Sequence, residues 1–347
     1  MRQVRSFRFK VLLMCALGAP VWGCLRYIDE AELSSEAPSA CEVGAVRCRG
    51  DERESCEGGE WRSLPCPTAQ VCREQAGGGG CVDQAMTGVD DDRPCASAPN
   101  GCPVIEWVTI EGGSFSMGST NYGDEQPIHT VTVPTFQMMK TEVTVGMYKA
   151  CVDAGACTAP GCSTSTRSSP YCNYGANATD HPVNYVSWYQ MMEFAAWMGA
   201  RLPTEAGWEF AASSRGTGVY PWGGESPSST LAAYNISSDG TSGTCSRTSG
   251  NSAQGLCDMA GNVWEWVQDE WHDNYAEAPI NGSGWCTGSC PANASDSLYN
   301  ASNSVFRVLR GGSWNGVAVF LRAANRNYDT PANQRDNSGG RLSRSLP

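Results

Sequence analysis

The sequence has little histidine, few charged residues and no long apolar run, and each shortage excludes a class of function. Three histidines (His129, His181 and His272) among 347 residues leave little room for a metal centre built from imidazole groups. Only 17% of the residues are charged, and 36 Asp and Glu outnumber 24 Lys and Arg, which gives a net charge of -12. Because so acidic a surface repels phosphate backbones, nucleic acid is excluded as the main partner. No serine-hydrolase elbow, phosphate loop, dinucleotide fingerprint or His-Glu-x-x-His pair occurs.

Cysteine, by contrast, is abundant, with 18 residues, although none follows Cys290. No two cysteines have the Cys-x2-Cys spacing of a zinc knuckle, and this argues against a zinc ribbon. So many cysteines are typical of an oxidising compartment, where they form disulfides. Setting aside Cys15 and Cys24, we expect the remaining sixteen to be paired.

The first 23 residues have the pattern of an export signal peptide. Four basic residues between positions 2 and 10 precede an apolar run over 11–17, which is too short to span a bilayer as a helix. Residues 21–24 (VWGC) resemble a bacterial lipobox, in which the cysteine carries the lipid. We therefore expect an exported protein that is either anchored to the bacterial cell envelope through a lipid on Cys24 or released as an extracellular protein.

Composition divides the rest of the chain into four segments. Residues 24–40 are acidic and rich in Ser and Pro, as in a solvated tether. Residues 41–83 contain six cysteines with few aliphatic residues between them, which indicates a small module held by three disulfides of open connectivity. A linker over 84–103, in which Cys95 and Cys102 close a small loop, leads to a large domain over 104–347.

Local patterns predict several elements in the large domain. Residues 106–110 and 130–133 read as strands, and apolar residues at helical spacing predict a helix that begins near Thr144. Ser187 with Gln190 forms a capping box for a second helix, which ends at Gly199. Thr204 is the N-cap of a third helix, ending near residue 213. Beyond residue 216 we expect mostly loops.

Short motifs follow one another in a specific order along the large domain. They occupy residues 113–118 (GSFSMG), 124–129 (DEQPIH), 140–144 (KTEVT), 181–184 (HPVN), 186–188 (VSW), 201–209 (RLPTEAGWE), 220–223 (YPWG), 255–266 (GLCDMAGNVWEW) and 310–314 (RGGSW). In this order they resemble the sulfatase-modifying-factor family, whose founding members are the formylglycine-generating enzymes. The resemblance covers about residues 104–347. It implies an α+β fold with little regular secondary structure, related to C-type-lectin-like domains.

The resemblance implies a catalytic activity whose key residues are missing here. Active members oxidise a sulfatase cysteine to formylglycine with Cu(I) and O2, using a cysteine pair just after the Gly-Gly-Ser-aromatic motif. Two thiolates make a soft site that selects Cu(I). The matching stretch from Asn315 to Leu321 contains no cysteine, so we do not expect copper to bind there. Cys286 and Cys290 are a conceivable relocated copper pair, but in an oxidising compartment we expect them to form a disulfide.

The resemblance also implies structural calcium, which prefers six to eight oxygen ligands. The positions matching the first family site are Asp258, Gly261, Val263 and Glu265. Those that could match a second site are Asn235, Ile236, Asp239 and Thr241. The alternative for Glu265 is a turn cap or an ion pair with Arg322.

Further positions match the groove in which family members receive an extended peptide. They are Ser313, Trp264, Trp266, Trp314, Arg322 and Arg326. For the tryptophans the alternative is a place in the core, because large aromatic residues are usually buried.

Three functions remain open. We favour an exported, monomeric lipoprotein whose large domain binds an extended peptide or another surface ligand without catalysis. The first alternative is a diverged oxygen-dependent oxidase that acts on a protein or small thiol. An iron-dependent branch of the family is disfavoured, because the N-terminal extension has no histidine. The second alternative is a structural component of the envelope, which wholly buried Trp264 and Trp314 would favour.

Overall fold

The computed structural model describes residues 45–49, 52–57, 60–64, 70–75, 78–83, 93–98, 101–162, 171–236, 240–300 and 305–346. The proposed signal peptide, the lipidation site Cys24, the tether and the calcium candidate Asp239 lie outside these ranges. The chain forms two compact units, Met1–Val89 and Asp90–Pro347. No helix of the described residues is both long enough and apolar enough to span a bilayer.

The small unit consists of short antiparallel strands. Its two sheets are β1-β2-β3 and β4-β5. The strands are β1 (Val46–Arg49), β2 (Glu52–Glu57), β3 (Glu60–Leu64), β4 (Gln70–Gln75) and β5 (Gly78–Asp83). Cys56 is buried and disulfide-bonded, as expected for a module without an aliphatic core. The side chains of its other five cysteines lie outside the described part of the chain.

The large unit combines three small sheets. A four-stranded sheet has the order β12-β11-β10-β13, a three-stranded sheet the order β14-β9-β6, and β7 pairs with β8. All pairs are antiparallel except β10 with β13. The strands are β6 (Trp107–Ile110), β7 (Gly113–Met117), β8 (His129–Val133), β9 (Phe136–Met139), β10 (Trp264–Glu270), β11 (Arg307–Arg310), β12 (Arg326–Asp329), β13 (Ser338–Gly339) and β14 (Ser343–Ser345).

The three predicted helices are confirmed, and the second and third have the caps that the sequence predicts. They are α1 (Val145–Asp153), α2 (Trp188–Trp197) and α3 (Glu205–Ala212). The Thr144 and Thr204 hydroxyls accept hydrogen bonds from backbone amides three residues on, and Ser187 with Gln190 forms the complete capping box. These contacts satisfy amide groups that the first turn of a helix leaves unpaired.

Two large apolar clusters form most of the core, to which α2 and α3 supply many residues, and a third small cluster contains Ala232, Ala260 and Leu321. One cluster packs α2 residues such as Trp188 and Phe194 against α1, and it also includes Cys95. The other packs Trp208 and Phe210 of α3 against β7, β8 and β9. The predicted disulfide between Cys95 and Cys102 is present, and it lies in a segment that the sequence analysis assigns to a linker.

The expectation of mostly loops beyond residue 216 is confirmed, although the short strands β10 to β14, which no local pattern predicted, also lie in this stretch. All seven residues of β10 are buried, so the strand lacks the alternation of apolar and polar residues that marks a half-exposed strand. Together the sheets, the three short helices and the long connections form the α+β architecture with little regular structure that the family resemblance implies.

Candidate functional site

The fold brings three separately predicted segments together: residues 235–236, 258–265 and 311–316. Four backbone hydrogen bonds of 2.8 Å join them, from Asn235 N to Gly316 O, Ile236 N to Trp314 O, Gly261 N to Gly311 O and Trp314 N to Asn262 O. The candidate calcium residues and the Gly-Gly-Ser-Trp motif are therefore parts of one site.

Gly261 makes this arrangement possible. Its φ is +86°, and a Cβ atom there would lie 2.3 Å from the carbonyl oxygen of Ala233. Any other residue would both strain the backbone and push the neighbouring chain away. The glycine thereby lets the 258–265 loop lie directly against the 233–236 segment.

The six residues expected to line a peptide groove are nearly inaccessible. Their exposed fractions are Ser313 0%, Trp264 5%, Trp266 0%, Trp314 3%, Arg322 7% and Arg326 5%. The Trp264 ring packs against Phe320, and the Trp314 ring packs against Tyr171. The three tryptophans are therefore core residues, as the alternative interpretation predicts, and each is at most 5% exposed.

The two arginines of this set are held by buried carboxylates. Arg322 binds both oxygens of Glu125, at 2.8 and 2.6 Å, and Arg326 binds Glu205 at 2.6 and 3.1 Å. Burial alone would raise the pKa of Glu125, but hydrogen bonds from Arg322 and Ser119 and the Arg322 charge lower it below its usual range. These guanidinium groups are therefore already paired inside the protein.

The accessible surface of the site lies instead on the stretch that matches the family's copper-binding cysteines. Val317 is 51% exposed and Phe320 is 38% exposed, and Ala318 and Val319 between them are partly exposed. We call residues 317–320 the apolar ridge. Exposed apolar side chains in a contiguous group are typical of a contact surface.

All ten cysteines of the large unit are bonded in disulfides. The pairs are Cys95–Cys102, Cys151–Cys157, Cys162–Cys172, Cys245–Cys257 and Cys286–Cys290. The expected disulfide between Cys286 and Cys290 is confirmed, which rules against a relocated copper pair in this state. A sulfur bonded to another sulfur is not the thiolate that Cu(I) requires.

Glu265 is one of the candidate calcium ligands, and its oxygens are already engaged. Arg341 donates to both at 2.7 to 2.9 Å, and the Trp208 indole donates to Oε2 at 2.8 Å. The alternative of an ion pair between Glu265 and Arg322 is therefore wrong, and Arg341 takes that role. Arg341 is fully buried and was not singled out in the sequence analysis.

Two more carboxyl groups lie near Glu265. Glu142 accepts hydrogen bonds from Asn262 Nδ2 at 2.7 Å and Val263 N at 3.2 Å, and Asp258 accepts one from Cys245 N at 2.6 Å. Burial and the charges of Asp258 and Glu265 raise the pKa of Glu142 well above its usual range. The cluster thus has three carboxyl groups and one guanidinium.

This cluster fits a calcium ion in part. The excess of buried carboxyl groups suits a hard cation, whereas the Glu265 oxygens accept hydrogen bonds from Arg341. In the described residues, no three His, Cys, Asp or Glu side chains converge to hold a metal ion. Any calcium here would therefore depend on backbone carbonyls and on Asp258.

An open recess of about 510 Å³ lies elsewhere on the large unit. Trp271, His272 and Trp285 line it together with Asp273, Asn274, Ala276 and Glu277. The His272 and Trp285 rings stack 3.6 Å apart. No local pattern predicts this recess, because the stacking of His272 on Trp285 depends on how the connection between them folds.

Comparison with known proteins extends the resemblance. The Sulfatase-modifying factor enzyme 1-like domain profile matches residues 95–346. The chain is 34% identical over 239 residues to the serine/threonine-protein kinase Pkn1 of Chlamydia trachomatis, covering 66% of this chain but only 36% of that one. It is 31% identical over 267 residues to the formylglycine-generating enzyme of Mycobacterium tuberculosis, covering 60% of this chain and 87% of that enzyme. The structure of PvdO from Pseudomonas aeruginosa superposes with a TM-score of 0.57 at 29% identity, over 70% of this chain and 95% of PvdO.

Proposed function

This chain belongs to the Sulfatase-modifying factor enzyme 1-like family, and from that premise we propose that its large domain is a recognition module that binds a ligand without oxidising it. The supporting observation is the apolar ridge. Where the family resemblance places two copper-binding thiolates, the chain has exposed Val317 and Phe320, and every cysteine of the unit is in a disulfide. The site retains the family scaffold while lacking the soft ligands.

The ligand we propose is an extended peptide that places an apolar side chain on the ridge. Val317 and Phe320 bury apolar area when covered, and each contributes on the order of 1 to 2 kcal/mol if fully covered. Beside the ridge, exposed Asn315 accepts a hydrogen bond from Asn337, and both amides can contact a peptide backbone. The apolar ridge has no charged side chain, so a ligand does not need a charge to bind there.

A copper assay tests the absence of catalysis. The purified chain is incubated with Cu(I), O2 and a peptide that contains a sulfatase-type cysteine motif, and aldehyde formation is measured by mass spectrometry. We expect no aldehyde and no stoichiometric copper. Turnover of the peptide would overturn the proposal.

A binding assay tests the ridge directly. Peptides selected from a random library against the whole chain are measured by calorimetry against Val317→Asp and Phe320→Asp. The matched control is Ile280→Asp, which changes another exposed apolar residue, 66% exposed, outside the ridge. We expect the two ridge variants to weaken binding at least about tenfold, with no change in the control. Equal binding by all variants would contradict a ligand site on the ridge.

We further propose structural calcium at the loop of Asp258, Gly261, Val263 and Glu265, with the segment of Asn235, Ile236 and Asp239 as a weaker second candidate. The excess of buried carboxyl groups over guanidinium groups around Arg341 supports a cation near Asp258 in the first site. A ligand that binds only the folded state raises its stability. We expect the melting temperature to rise with added calcium and to fall with EDTA, and metal analysis after gel filtration should report the stoichiometry.

Export fits the five disulfides of the large unit, and we propose that Cys24 carries a lipid that anchors the chain to the cell envelope. Labelling cells with a fatty-acid analogue tests this. Cys24→Ala should abolish the label, and Cys15→Ala, which alters a cysteine inside the proposed signal, should not. Label on both variants would contradict a lipid on Cys24.

A structural role in the envelope is a second candidate, favoured by the burial of Trp264 and Trp314. This role requires no ligand contact at the ridge. The library selection separates the two, because a purely structural component should yield no peptide whose affinity depends on Val317 or Phe320.

A diverged oxidase is a third candidate, supported by the 31% identity to a formylglycine-generating enzyme. Metal analysis distinguishes it from the recognition module. A stoichiometric transition metal in the purified chain would support the oxidase, and calcium without copper or iron would support the recognition module.

A further inference from the structure

The five disulfides of the large unit differ in their accessibility. Four of them contain at least one buried cysteine: Cys95, Cys151 and Cys257 are 0% exposed, and Cys162 is 4% exposed. In the fifth, Cys286 and Cys290 are both partly exposed. Access of an outside thiol to a sulfur atom is the first requirement for thiol–disulfide exchange.

The Cys286–Cys290 disulfide also closes the shortest loop of the five. The two cysteines are four positions apart, and the intervening Thr287, Gly288 and Ser289 are all exposed. A disulfide stabilises a protein mainly by restricting the unfolded chain, and it does so least when the loop is short. Opening this bond should therefore leave the fold largely intact.

One sulfur of the pair faces a fixed cation. The Nη1 atom of Arg307 lies 3.4 Å from Cys286 Sγ and 3.0 Å from the carbonyl oxygen of Gln268. The guanidinium stacks 4.2 Å from the Trp188 ring, and Glu270 lies 3.6 Å from its other terminal nitrogen. The Arg307 side chain is only 3% exposed, so packing holds the donor in place.

This placement makes Cys286 the better leaving group of the two cysteines. A guanidinium that donates to a sulfur stabilises the thiolate, and a thiol with a lower pKa is the better leaving group in exchange. Glu270 offsets part of the Arg307 charge, but the hydrogen bond from Nη1 to Cys286 remains. Attack at Cys290 should therefore be preferred, with Cys286 as the leaving thiolate.

We propose that Cys286–Cys290 is a thiol-exchange site that accepts two electrons from small external thiols. A thiolate RS⁻ attacks Cys290 Sγ, the Cys286–Cys290 bond breaks, and Cys286 leaves as a thiolate beside Arg307. A second RS⁻ attacks the R sulfur of the mixed disulfide and releases RSSR and the Cys290 thiolate. The two protons lost by the two RSH molecules return to the two cysteines. The balance is two RSH and one protein disulfide converted to RSSR and one protein dithiol.

Reduction kinetics of the intact wild-type chain test this proposal. The folded protein is exposed to reduced glutathione, samples are quenched with iodoacetamide over time, and each cysteine is quantified by peptide mass spectrometry. We expect Cys286 and Cys290 to be alkylated at least about tenfold faster than the buried pair Cys151–Cys157. Cys245–Cys257, in which one cysteine is partly exposed, is the matched control. Equal or slower reduction of Cys286–Cys290 would overturn the proposal.

The position of the mixed disulfide tests the role of Arg307. Acid quenching early in the reaction should trap glutathione on Cys290 in preference to Cys286, and equal amounts on both sulfurs would refute the directing contact. Arg307→Gln should slow reduction of this pair, whereas Arg247→Gln, near Cys245, should leave all rates unchanged. If Arg307→Gln fails to fold, the ratio of glutathione on Cys290 to glutathione on Cys286 in the wild type still tests the role of Arg307.

Discussion

Two clusters of buried charged side chains lie in the large unit, and they differ in their ratio of carboxyl to guanidinium groups. The balanced cluster pairs Glu205 and Glu209 with Arg310 and Arg326. The acidic cluster has three carboxyl groups and one guanidinium, and its members are Glu142, Asp258, Glu265 and Arg341. Every residue of the two clusters is at most 9% exposed, so water does little to screen their charges.

The charges of the balanced cluster are mostly paired within it, although burial raises the pKa of Glu209 and, among the described residues, no hydrogen-bond partner meets the Nε atom of Arg310. Arg310 binds Glu205 at 3.2 Å and Glu209 at 2.5 Å, and Arg326 binds Glu205 at 2.6 Å. Burial would raise the pKa of Glu205, but the charges of Arg326 and Arg310 outweigh it and lower that pKa. The neighbouring Asp269 is held by two backbone amides, and burial together with the Glu205 charge raises its pKa to about 7.

In the acidic cluster, the carboxyl groups outnumber the guanidinium groups that could pair with them. Arg341 is committed to Glu265, and burial is the main cause that raises the pKa values of Glu142 and Asp258. The acidic cluster therefore needs a proton or a cation to offset its surplus of carboxyl groups. A network with equal numbers of both charges stabilises the fold, whereas an excess of buried carboxyl groups takes up protons or a cation, and this excess lies beside the proposed calcium loop.

The largest effect is expected from breaking the balanced cluster. Arg310→Met leaves Glu209 without its cation in the interior, and removal of one partner of a buried pair costs about 3–5 kcal/mol. We expect a loss of this order in the free energy of unfolding, measured by denaturant titration. The control is Lys149→Met, which breaks an exposed pair with Asp153 and should leave the free energy nearly unchanged. A similar result for both variants would contradict the structural role of the balanced cluster.

The two clusters should also differ in how much the free energy of unfolding falls when one carboxylate charge is removed, and this difference is smaller. In EDTA, Asp258→Asn removes a surplus charge and should change the free energy of unfolding by less than about 1 kcal/mol. Glu209→Gln, which removes a needed charge beside Arg310, should cost about 3 kcal/mol or more.

Added calcium should also affect the two clusters differently. If calcium binds beside Asp258, wild type and Glu209→Gln should both gain stability from added calcium, whereas Asp258→Asn should gain less. Thermal unfolding with and without calcium measures the gain. A gain that is equal in all three proteins would argue against calcium at Asp258.

Much of the fold was predictable because its signals are local. The caps at Ser187 and Thr204 span only three residues, and the spacing of apolar residues after Thr144 is also a local signal. The structure confirms all three helices. The strand β10 escaped prediction because a strand buried on both faces has no alternating pattern. Its burial depends on β11 and β13, which are distant in sequence.

The candidate site was predictable only in part, for the same reason. The ordered motifs identified the segments that meet there, and the absence of cysteine between Asn315 and Leu321 was evident. The partners of the charged residues were not evident, because Glu265 with Arg341 and Glu125 with Arg322 are separated by long stretches of chain. Which arginine meets which carboxylate depends on the tertiary structure.

The smallest expected effect concerns acid stability and the single pair of Glu125 and Arg322. Because the Glu125 pKa is lowered in the folded state, the unfolded chain binds the proton more tightly, and the stabilisation is complete above the ordinary value of 4.5. As the pH falls below 4.5 and through the folded pKa, that stabilisation is lost. Glu125→Gln should therefore show a shallower fall in the free energy of unfolding below pH 4.5 than the wild type, measured by denaturant titration at several pH values. Parallel curves for the two proteins would show that Arg322 does not hold this carboxyl in its ionised form.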